Sequence, residues 1–277
     1  MNLEATATLG GGVAPLKATV VKPRRWPLVR HSLVLARRGV INMLRTPEAL
    51  IDVTLQPIIF LVMFTYIFGG AIAHGSQHNY LEFLLPGILG QTIAMGGIAI
   101  GVNLNNDVTK GIFDRFRSLP IARSAPLVGA VLADVVRYGI LCVVTLGFGY
   151  VLGFRAHTSA LDVLAACLLS TGFALCLCWA SVFVGMIART SGSVQGIMTL
   201  IVLPLSFGSN TFVPTNSMPG WLQSFVNVNP LTHLVGAVRG LLLGGPVASH
   251  LLWTLLWMGI LLVVFVPLAL RAYRRRV

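Results

Sequence analysis

Charged residues are scarce in this sequence. Asp, Glu, Lys and Arg make up only 10% of its 277 residues, hydrophobic residues make up 56%, and the mean hydropathy is +0.84. A water-soluble domain carries about 25% charged residues, because its surface must be hydrated. The shortage of charge excludes a soluble globule and indicates that lipid solvates most of the chain.

Motifs for catalysis, nucleotide binding and metal binding are also lacking. The sequence contains no phosphate-binding loop of the G-x-x-x-x-G-K-[ST] type, no zinc motif, no nucleophile elbow and no catalytic dyad. Its four cysteines all fall within apolar runs, where cysteine behaves as a small hydrophobic residue. We interpret His74 and His78 as polar loop residues rather than metal ligands. We therefore expect a protein that is not an enzyme and binds no metal or cofactor itself.

Carboxylates at membrane depth are lacking as well. All eight acidic residues are expected outside the span interiors or near their edges. A proton relay needs carboxylates held at membrane depth despite their cost. Glu82 is the nearest candidate, whereas Asp134 and Arg137, one helical turn apart, are expected to pair at the inner interface. The pattern disfavours a proton-coupled transporter.

Long uncharged stretches are abundant, and they predict an all-α integral membrane protein with six transmembrane helices. Each stretch approaches the roughly 20 residues that cross a bilayer core. The predicted spans are residues 53–73, 81–104, 138–154, 163–188, 194–210 and 251–270. The proline-rich stretch 211–245 predicts an extracytoplasmic helical hairpin before the last span, with Asn229 as the cap and Pro230 as the first helical residue of its second helix.

The distribution of Lys and Arg predicts the orientation. Eighteen of the 20 basic residues fall on one side of the predicted spans, and only Arg155 and Arg239 fall on the other. Because basic loops stay in the cytoplasm, both termini are predicted to be cytoplasmic. The net charge of +12 thus indicates orientation and contact with anionic membrane lipids rather than nucleic-acid binding.

Two cytoplasmic segments mix apolar and basic residues. After a flexible tail over residues 1–25, residues 26–45 fit an amphipathic helix on the inner leaflet, or else an ordinary basic flank whose side chains reach the headgroups. In the loop 105–125, Phe113 and Phe116 share one face of a short helix. Those rings either dip into the membrane surface or fill a groove on another protein.

Amides and aromatic rings within the apolar stretches are candidates for a substrate path. A mostly apolar wall with a few neutral polar groups suits a large, mostly apolar ligand, although such groups also hold helices together. The candidates are Gln56, Phe60, Phe64, Gln91, Asn103, Phe207, Asn210 and Phe212.

Four stretches resemble the permease subunits of type-2 ABC exporters, and specifically the daunorubicin/doxorubicin-resistance permeases of actinobacteria. They are RTPEALIDVTLQPIIFLVMF (45–64), GIFDRFRSLPIARSAPLVGAVLADVVRY (111–138), FGSNTFVPTNSMPGWLQSF (207–225) and NPLTHLVGAVRGLLLGG (229–245). The resemblance implies one exporter transmembrane domain over residues 26–277 in a bacterial plasma membrane, with 26–45 as the connecting helix. It also implies a second permease protomer, identical or homologous, and a separate ATPase subunit that holds ATP and magnesium.

The same resemblance implies a coupling helix over residues 110–120 that docks on the ATPase. The residues implied to make this contact are Lys110, Ile112, Phe113, Asp114, Arg115, Phe116 and Arg117. The implied function is ATP-driven export of amphipathic drugs such as anthracyclines, which would confer antibiotic resistance. Alternatives are export of lipids or glycans by a permease of the same family, a proton-coupled drug antiporter, and a non-transporting membrane scaffold.

Overall fold

The computed structural model describes residues 27–45, 47–72, 77–112 and 125–276, and this part of the chain is helical without strands. The helices are α1 (Pro27–Arg45), α2 (Pro47–Ile72), α3 (Gln77–Thr109), α4 (Ala125–Val151), α5 (Ala160–Ile187), α6 (Ser191–Phe207), α7 (Gly220–Val228), α8 (Pro230–Leu243) and α9 (Ala248–Arg276), with a short 3-10 turn at Thr215–Ser217. The all-α prediction is confirmed.

Four of the described helices are long and apolar enough to cross a membrane. They comprise Asn79–Thr109 in α3, Pro126–Val151 in α4, all of α5 and all of α9. The first and fifth predicted spans coincide with α2 and α6, whose described apolar parts, Thr54–Ile67 and Ser191–Phe207, are shorter. The structure therefore defines a protein that passes the membrane several times.

Helix α3 is the centre of the bundle and packs against α2, α4, α5, α6 and α8. Its buried face carries Leu84, Leu85, Ile88, Leu89 and Ile93, all without solvent exposure. Lipid is as apolar as these side chains, so association of the helices depends on close packing rather than on water exclusion.

Glycines allow close packing between α3 and α5. A Cβ atom on Gly101 would clash with the carbonyl oxygen of Ser181, and one on Gly185 would lie 2.5 Å from the carbonyl oxygen of Gly101. Such small residues let backbones approach each other where the hydrophobic effect supplies no force. A larger side chain at Gly101 must therefore push the two helices apart.

Helix α4 extends beyond the start of the third predicted span. Helix α4 begins at Ala125 rather than at Tyr138, and the charged residues Asp134 and Arg137 lie inside it. They form an ion pair with 2.8 Å between Arg137 Nη2 and Asp134 Oδ2, nine residues inside α4, as their spacing of one helical turn predicted.

The helical hairpin before the last span is confirmed as two helices, α7 and α8, joined at Asn229. The Asn229 side chain accepts a hydrogen bond from the Leu231 amide at 2.9 Å, and Pro230 occupies the first helical position as predicted. The same side chain donates to the carbonyl oxygens of Leu205 (2.8 Å) and Gly208 (2.7 Å). Asn229 thus both starts α8 and fastens the hairpin to the end of α6.

Helix α1 forms as predicted and packs on α4 through a narrow face of small residues. Ser32 and Ala36 are buried on that face, whereas Arg37 and Arg38 are exposed. The contact is tight, since a Cβ atom on Gly129 of α4 would lie 2.8 Å from Leu35 Cβ. The segment is therefore a packed helix rather than only a basic flank of the next helix.

Candidate substrate path and coupling region

Four phenylalanines from two separate parts of the chain form one aromatic cluster, which we define as Phe60, Phe64, Phe207 and Phe212. Phe60 and Phe64 are one turn apart on α2, with ring centroids 6.1 Å apart and edge to face. Phe64 stacks on Phe212 at 4.4 Å, and Phe212 stacks on Phe207 at 5.3 Å. Both separations lie within the range in which aromatic rings attract each other.

Helix α3 fixes the loop that carries Phe212. The Tyr80 hydroxyl donates to the Phe212 carbonyl oxygen at 3.3 Å. A Cβ atom on Gly87 would lie 2.5 Å from the Thr211 carbonyl oxygen, so only glycine lets the loop approach α3 this closely. Because Phe212 is 8% exposed and Phe207 is 52% exposed, the aromatic cluster extends from the protein interior to its surface.

A buried cation lies next to the same loop. Arg239 Nη2 donates to the carbonyl oxygens of Phe83 (3.0 Å) and Asn210 (3.1 Å), and the guanidinium carbon lies 3.9 Å from the Phe83 ring centroid. Burial lowers the pKa of the Arg239 guanidinium to about 10, so it remains protonated at neutral pH. Within the described ranges, Arg239 Nε and Asn210 Oδ1 are buried without a hydrogen-bond partner. These two polar atoms are therefore enclosed beside the loop that carries Phe212.

The remaining path candidates lie on α2 (Gln56) and on α3 (Gln91 and Asn103). Gln56 Nε2 contacts Met95 Sδ at 3.7 Å, and Gln91 is fully buried with neither amide atom bonded to a described residue. Asn103 is exposed near the far end of α3, about 35 Å from Tyr80 at 1.5 Å per residue. The structure thus brings together Phe60, Phe64, Phe207, Asn210 and Phe212, but not Gln56, Gln91 and Asn103.

The predicted ion pair of Asp134 and Arg137 forms and is a polar site within the bundle. The two side chains are only 14% and 11% exposed. Arg137 Nη2 also donates to the Gly96 carbonyl oxygen of α3 at 2.6 Å, and the Tyr138 hydroxyl lies 3.1 Å from Cys178 Sγ of α5. The cluster joins three helices. The spacing of the pair was a detectable signal, but its depth was not.

The predicted coupling residues are described only in part. Lys110 is exposed directly after α3, and Gly111 has a φ of 68°, a left-handed conformation that glycine adopts without strain and that ends a helix. Ile112 is partly buried. The other predicted contact residues lie outside the described residues, namely Phe113, Asp114, Arg115, Phe116 and Arg117.

The ends of α3, α5 and α9 meet beside the start of this loop. We define the terminal junction as Asn105 of α3, the carbonyl groups of residues 185–188 at the end of α5, and Arg276 of α9. Asn105 Nδ2 donates to the carbonyl oxygens of Gly185 (2.9 Å) and Ala188 (2.8 Å). Arg276 Nη1 donates to those of Gly185 (3.0 Å), Met186 (2.8 Å) and Ala188 (2.7 Å). The last carbonyls of a helix lack partners within it, and here two side chains fasten the end of α5 to α3 and α9. No sequence motif signals this arrangement.

In the part of the chain that the structure describes, no group of three or more His, Cys, Asp or Glu side chains could hold a metal ion. The described features are instead a bundle of apolar helices, an aromatic cluster open to the surface, and helix ends tied together beside a basic loop. These apolar helices are typical of a membrane protein that crosses the bilayer several times.

Comparison with known proteins identifies the family. The model of the ABC-2 type transporter family matches residues 30–243, so the chain belongs to this family and is the permease subunit of an ABC transporter. It is 37% identical over 275 residues to the daunorubicin resistance ABC transporter permease protein DrrB1 of Streptomyces coeruleorubidus, covering 99% of this chain and 97% of the relative. The permease is not itself catalytic, since the ATPase is a separate chain.

More distant relatives extend over most of the chain. The probable doxorubicin resistance ABC transporter permease protein DrrC of Mycobacterium tuberculosis (strain ATCC 25618 / H37Rv) is 28% identical over 89% of each chain. The putative transport permease ycf38 of Cyanophora paradoxa is 28% identical over 76% of this chain and 73% of the relative. The similarity therefore covers the bundle and not only one motif.

Proposed function

We propose that this permease exports amphipathic drugs with flat aromatic rings, such as anthracyclines, and thereby confers resistance to them. The observation that carries the proposal is the aromatic cluster, in which the half-exposed Phe207 ring continues a stack that begins in the interior. A planar ring system can extend such a stack at its exposed edge. The drugs in the names of the relatives support the same class of substrate.

We infer six membrane spans, with α2 and α6 as the first and fifth, and one transmembrane domain over residues 26–277. Both termini would face the cytoplasm of a bacterium, as the one-sided distribution of Lys and Arg supports. The aromatic cluster and the hairpin of α7 and α8 would then lie toward the extracytoplasmic side. The terminal junction would lie at the cytoplasmic side, where α1 would be the connecting helix.

In this mechanism α3 transmits motion between the two sides of the membrane. Its 33 residues are about 50 Å long at 1.5 Å per residue. One end leads into the proposed coupling loop and the terminal junction, and the other holds the Phe212 loop through Tyr80 and Gly87. ATP binding on the partner ATPases would move the coupling loops, and the packed α3 would carry this displacement to the aromatic cluster.

A second permease protomer, identical or homologous, is expected to complete the path. Helices α2 and α6 expose apolar side chains beside the aromatic cluster, including Ile59, Met63, Leu203 and Phe207. A large ligand needs walls on more than one side. Purification in mild detergent with the ATPase should yield two permeases and two ATPases per complex, and a fully active one-to-one complex would contradict this arrangement.

The test of the drug assignment is transport of doxorubicin into inverted vesicles that contain the permease and its ATPase. We expect Phe207→Ala with Phe212→Ala to lower the initial rate at least tenfold, because two members of the stack are lost. Phe148→Ala, which removes a partly buried phenylalanine of α4, is the matched control and should retain most of the rate. Equal rates for both variants would refute the role of the aromatic cluster.

Two other functions give different results in the same vesicles. A lipid or glycan exporter of the same family would hydrolyse ATP without moving doxorubicin. The buried carboxylate of Asp134 is the one observation that favours a proton-coupled antiporter. Antiport would be abolished by a protonophore and unaffected by vanadate, whereas the proposed export requires ATP and is inhibited by vanadate.

A further inference from the structure

A cavity at one end of the bundle lies between α5 and α9, far from the aromatic cluster. It has a volume of about 690 Å³, and its lining includes Phe183, Ile187, Arg189, Leu268, Arg271 and Arg275. Cavities of this size hold small molecules or lipid headgroups in other proteins. The cavity borders the terminal junction through Arg276 but contains none of the residues proposed for drug transport.

The charge of this cavity is of one sign. Among the residues that the structure describes, four arginines and no acidic residue line it. Arg276 already donates to the three carbonyl oxygens at the end of α5. For Arg189, Arg271 and Arg275, the described part of the chain contains no ion pair with a carboxylate, and all three are exposed. Three guanidinium groups are therefore available to an anion.

The apolar lining of the cavity favours a lipid over a free anion as the ligand. Phe183 and Leu268 line its wall, and the outer face of α9 continues beyond them with the exposed Val264 and Ile260. A single molecule that spans this surface would have an anionic head and long apolar chains. Basic pockets between membrane helices bind anionic lipid headgroups in this way, and guanidinium groups bind phosphate through paired hydrogen bonds.

We propose that this cavity is a binding site for an anionic phospholipid, with the phosphate held by Arg189, Arg271 and Arg275 and the acyl chains lying along α5 and α9. A docking site for a protein is the competing assignment. The lipid is favoured because the arginines lie directly beside an apolar helix surface, with no polar rim between the arginines and that surface. By filling the space beside the terminal junction, the lipid would hold the ends of α5 and α9 together.

Native mass spectrometry of the purified permease in detergent tests the site without ATPase or drug, so its outcome is independent of the proposed transport function. The probes are cardiolipin, which carries two phosphates, and phosphatidylcholine, which has no net charge. The variant is Arg189→Gln, Arg271→Gln, Arg275→Gln. Each basic group near an anionic headgroup contributes about 1 kcal/mol, which is about a hundredfold in affinity for three. We expect the cardiolipin affinity to fall at least tenfold in this variant and the phosphatidylcholine affinity to remain unchanged.

The matched control is Arg37→Gln, Arg45→Gln, Arg274→Gln, which removes the same charge from exposed arginines that do not line the cavity. It should bind cardiolipin like the unmodified chain. An equal loss in both variants would show only diffuse attraction to a basic surface and would overturn the site. Displacement of cardiolipin by inorganic pyrophosphate at equal phosphate concentration would also overturn it, since a free anion would then suffice. In a separate purification with the ATPase, loss of its co-purification in the cavity variant, together with unchanged lipid binding, would assign the cavity to a protein instead.

Discussion

The buried ion pair between Asp134 and Arg137 allows a quantitative test of the bundle. Substitution of Arg137 by Met removes three charge-assisted hydrogen bonds, which are 2.8 Å to Asp134, 2.6 Å to the Gly96 carbonyl oxygen and 3.3 Å to the Tyr138 hydroxyl. It also leaves the Asp134 carboxylate in the interior of three packed helices without its cation. The substitution should therefore destabilise the protein more than an ordinary surface change.

The magnitude follows from the burial of both groups. Removal of one partner of a buried ion pair costs about 3–5 kcal/mol, because the remaining charge is uncompensated. This corresponds to a decrease of more than a hundredfold in the folding equilibrium constant, at about 1.4 kcal/mol per tenfold. Removal of both charges together is often close to neutral when apolar side chains fill the space. We expect Asp134→Leu with Arg137→Met to lie within about 2 kcal/mol of the unmodified protein.

The assay is reversible denaturation in mixed micelles with an increasing fraction of SDS, followed by far-ultraviolet circular dichroism. The two single variants and the double variant form a double-mutant cycle, which should yield a favourable coupling energy of at least about 2 kcal/mol between the two charges. Arg155→Met is the control, because this exposed arginine donates only to the carbonyl oxygens of Tyr150 and Phe154 within the described residues. Its cost should be below about 1 kcal/mol.

Two results would refute this reasoning. If Arg137→Met alone is as stable as the unmodified protein, the site is hydrated or the carboxylate is already neutral. If the double variant is no more stable than either single variant, the two charges do not compensate each other. If the double variant is stable and still exports drug, the ion pair has only a structural role. If the double variant is stable but has lost export, the ion pair takes part in transport.

The coupling loop, the orientation and the crossing of α3 with α5 give three further tests. Phe113→Ala with Phe116→Ala should weaken ATPase docking by about a hundredfold or more, because each buried ring at an interface contributes about 2–4 kcal/mol. The ATPase should then co-purify poorly, whereas Arg115→Ala should do less. Normal co-purification of the double variant would instead place the rings on the membrane surface. In a cysteine-free background, an impermeant thiol reagent should label intact cells at cysteines that replace His78, His157 and Ser217. It should label only lysed cells at cysteines that replace Ser118, Ser191 and Tyr273, and labelling of position 118 from outside would reverse the orientation. Gly101→Leu should lower the thermal denaturation midpoint and the yield, since its side chain meets the Ser181 carbonyl group, whereas Gly196→Leu, at a glycine with open space around it, should lower neither.

Sequence reasoning was most successful for features that depend on overall composition or on neighbouring residues. The scarcity of charge was enough to predict a membrane protein, because lipid-facing surface cannot carry charge over most of its area. The Asn229-Pro230 dipeptide predicted the start of α8, because a cap and a first-turn proline act on neighbouring backbone groups alone. Four quoted stretches were specific enough to indicate the family that the comparison then identified.

Only the tertiary structure decided where polar side chains lie and which aromatic rings meet. The spacing of Asp134 and Arg137 predicted their pairing, but only the structure shows that the pair is buried in the bundle and that Gly96 of α3 supplies a further carbonyl oxygen to Arg137. Phe64 and Phe212 are far apart in sequence and stack because Tyr80 and Gly87 of α3 hold the second ring's loop against the bundle. The free-energy cost of burying a charged side chain depends on its partners on other helices. No local sequence pattern specifies those partners, so only the fold determines the cost.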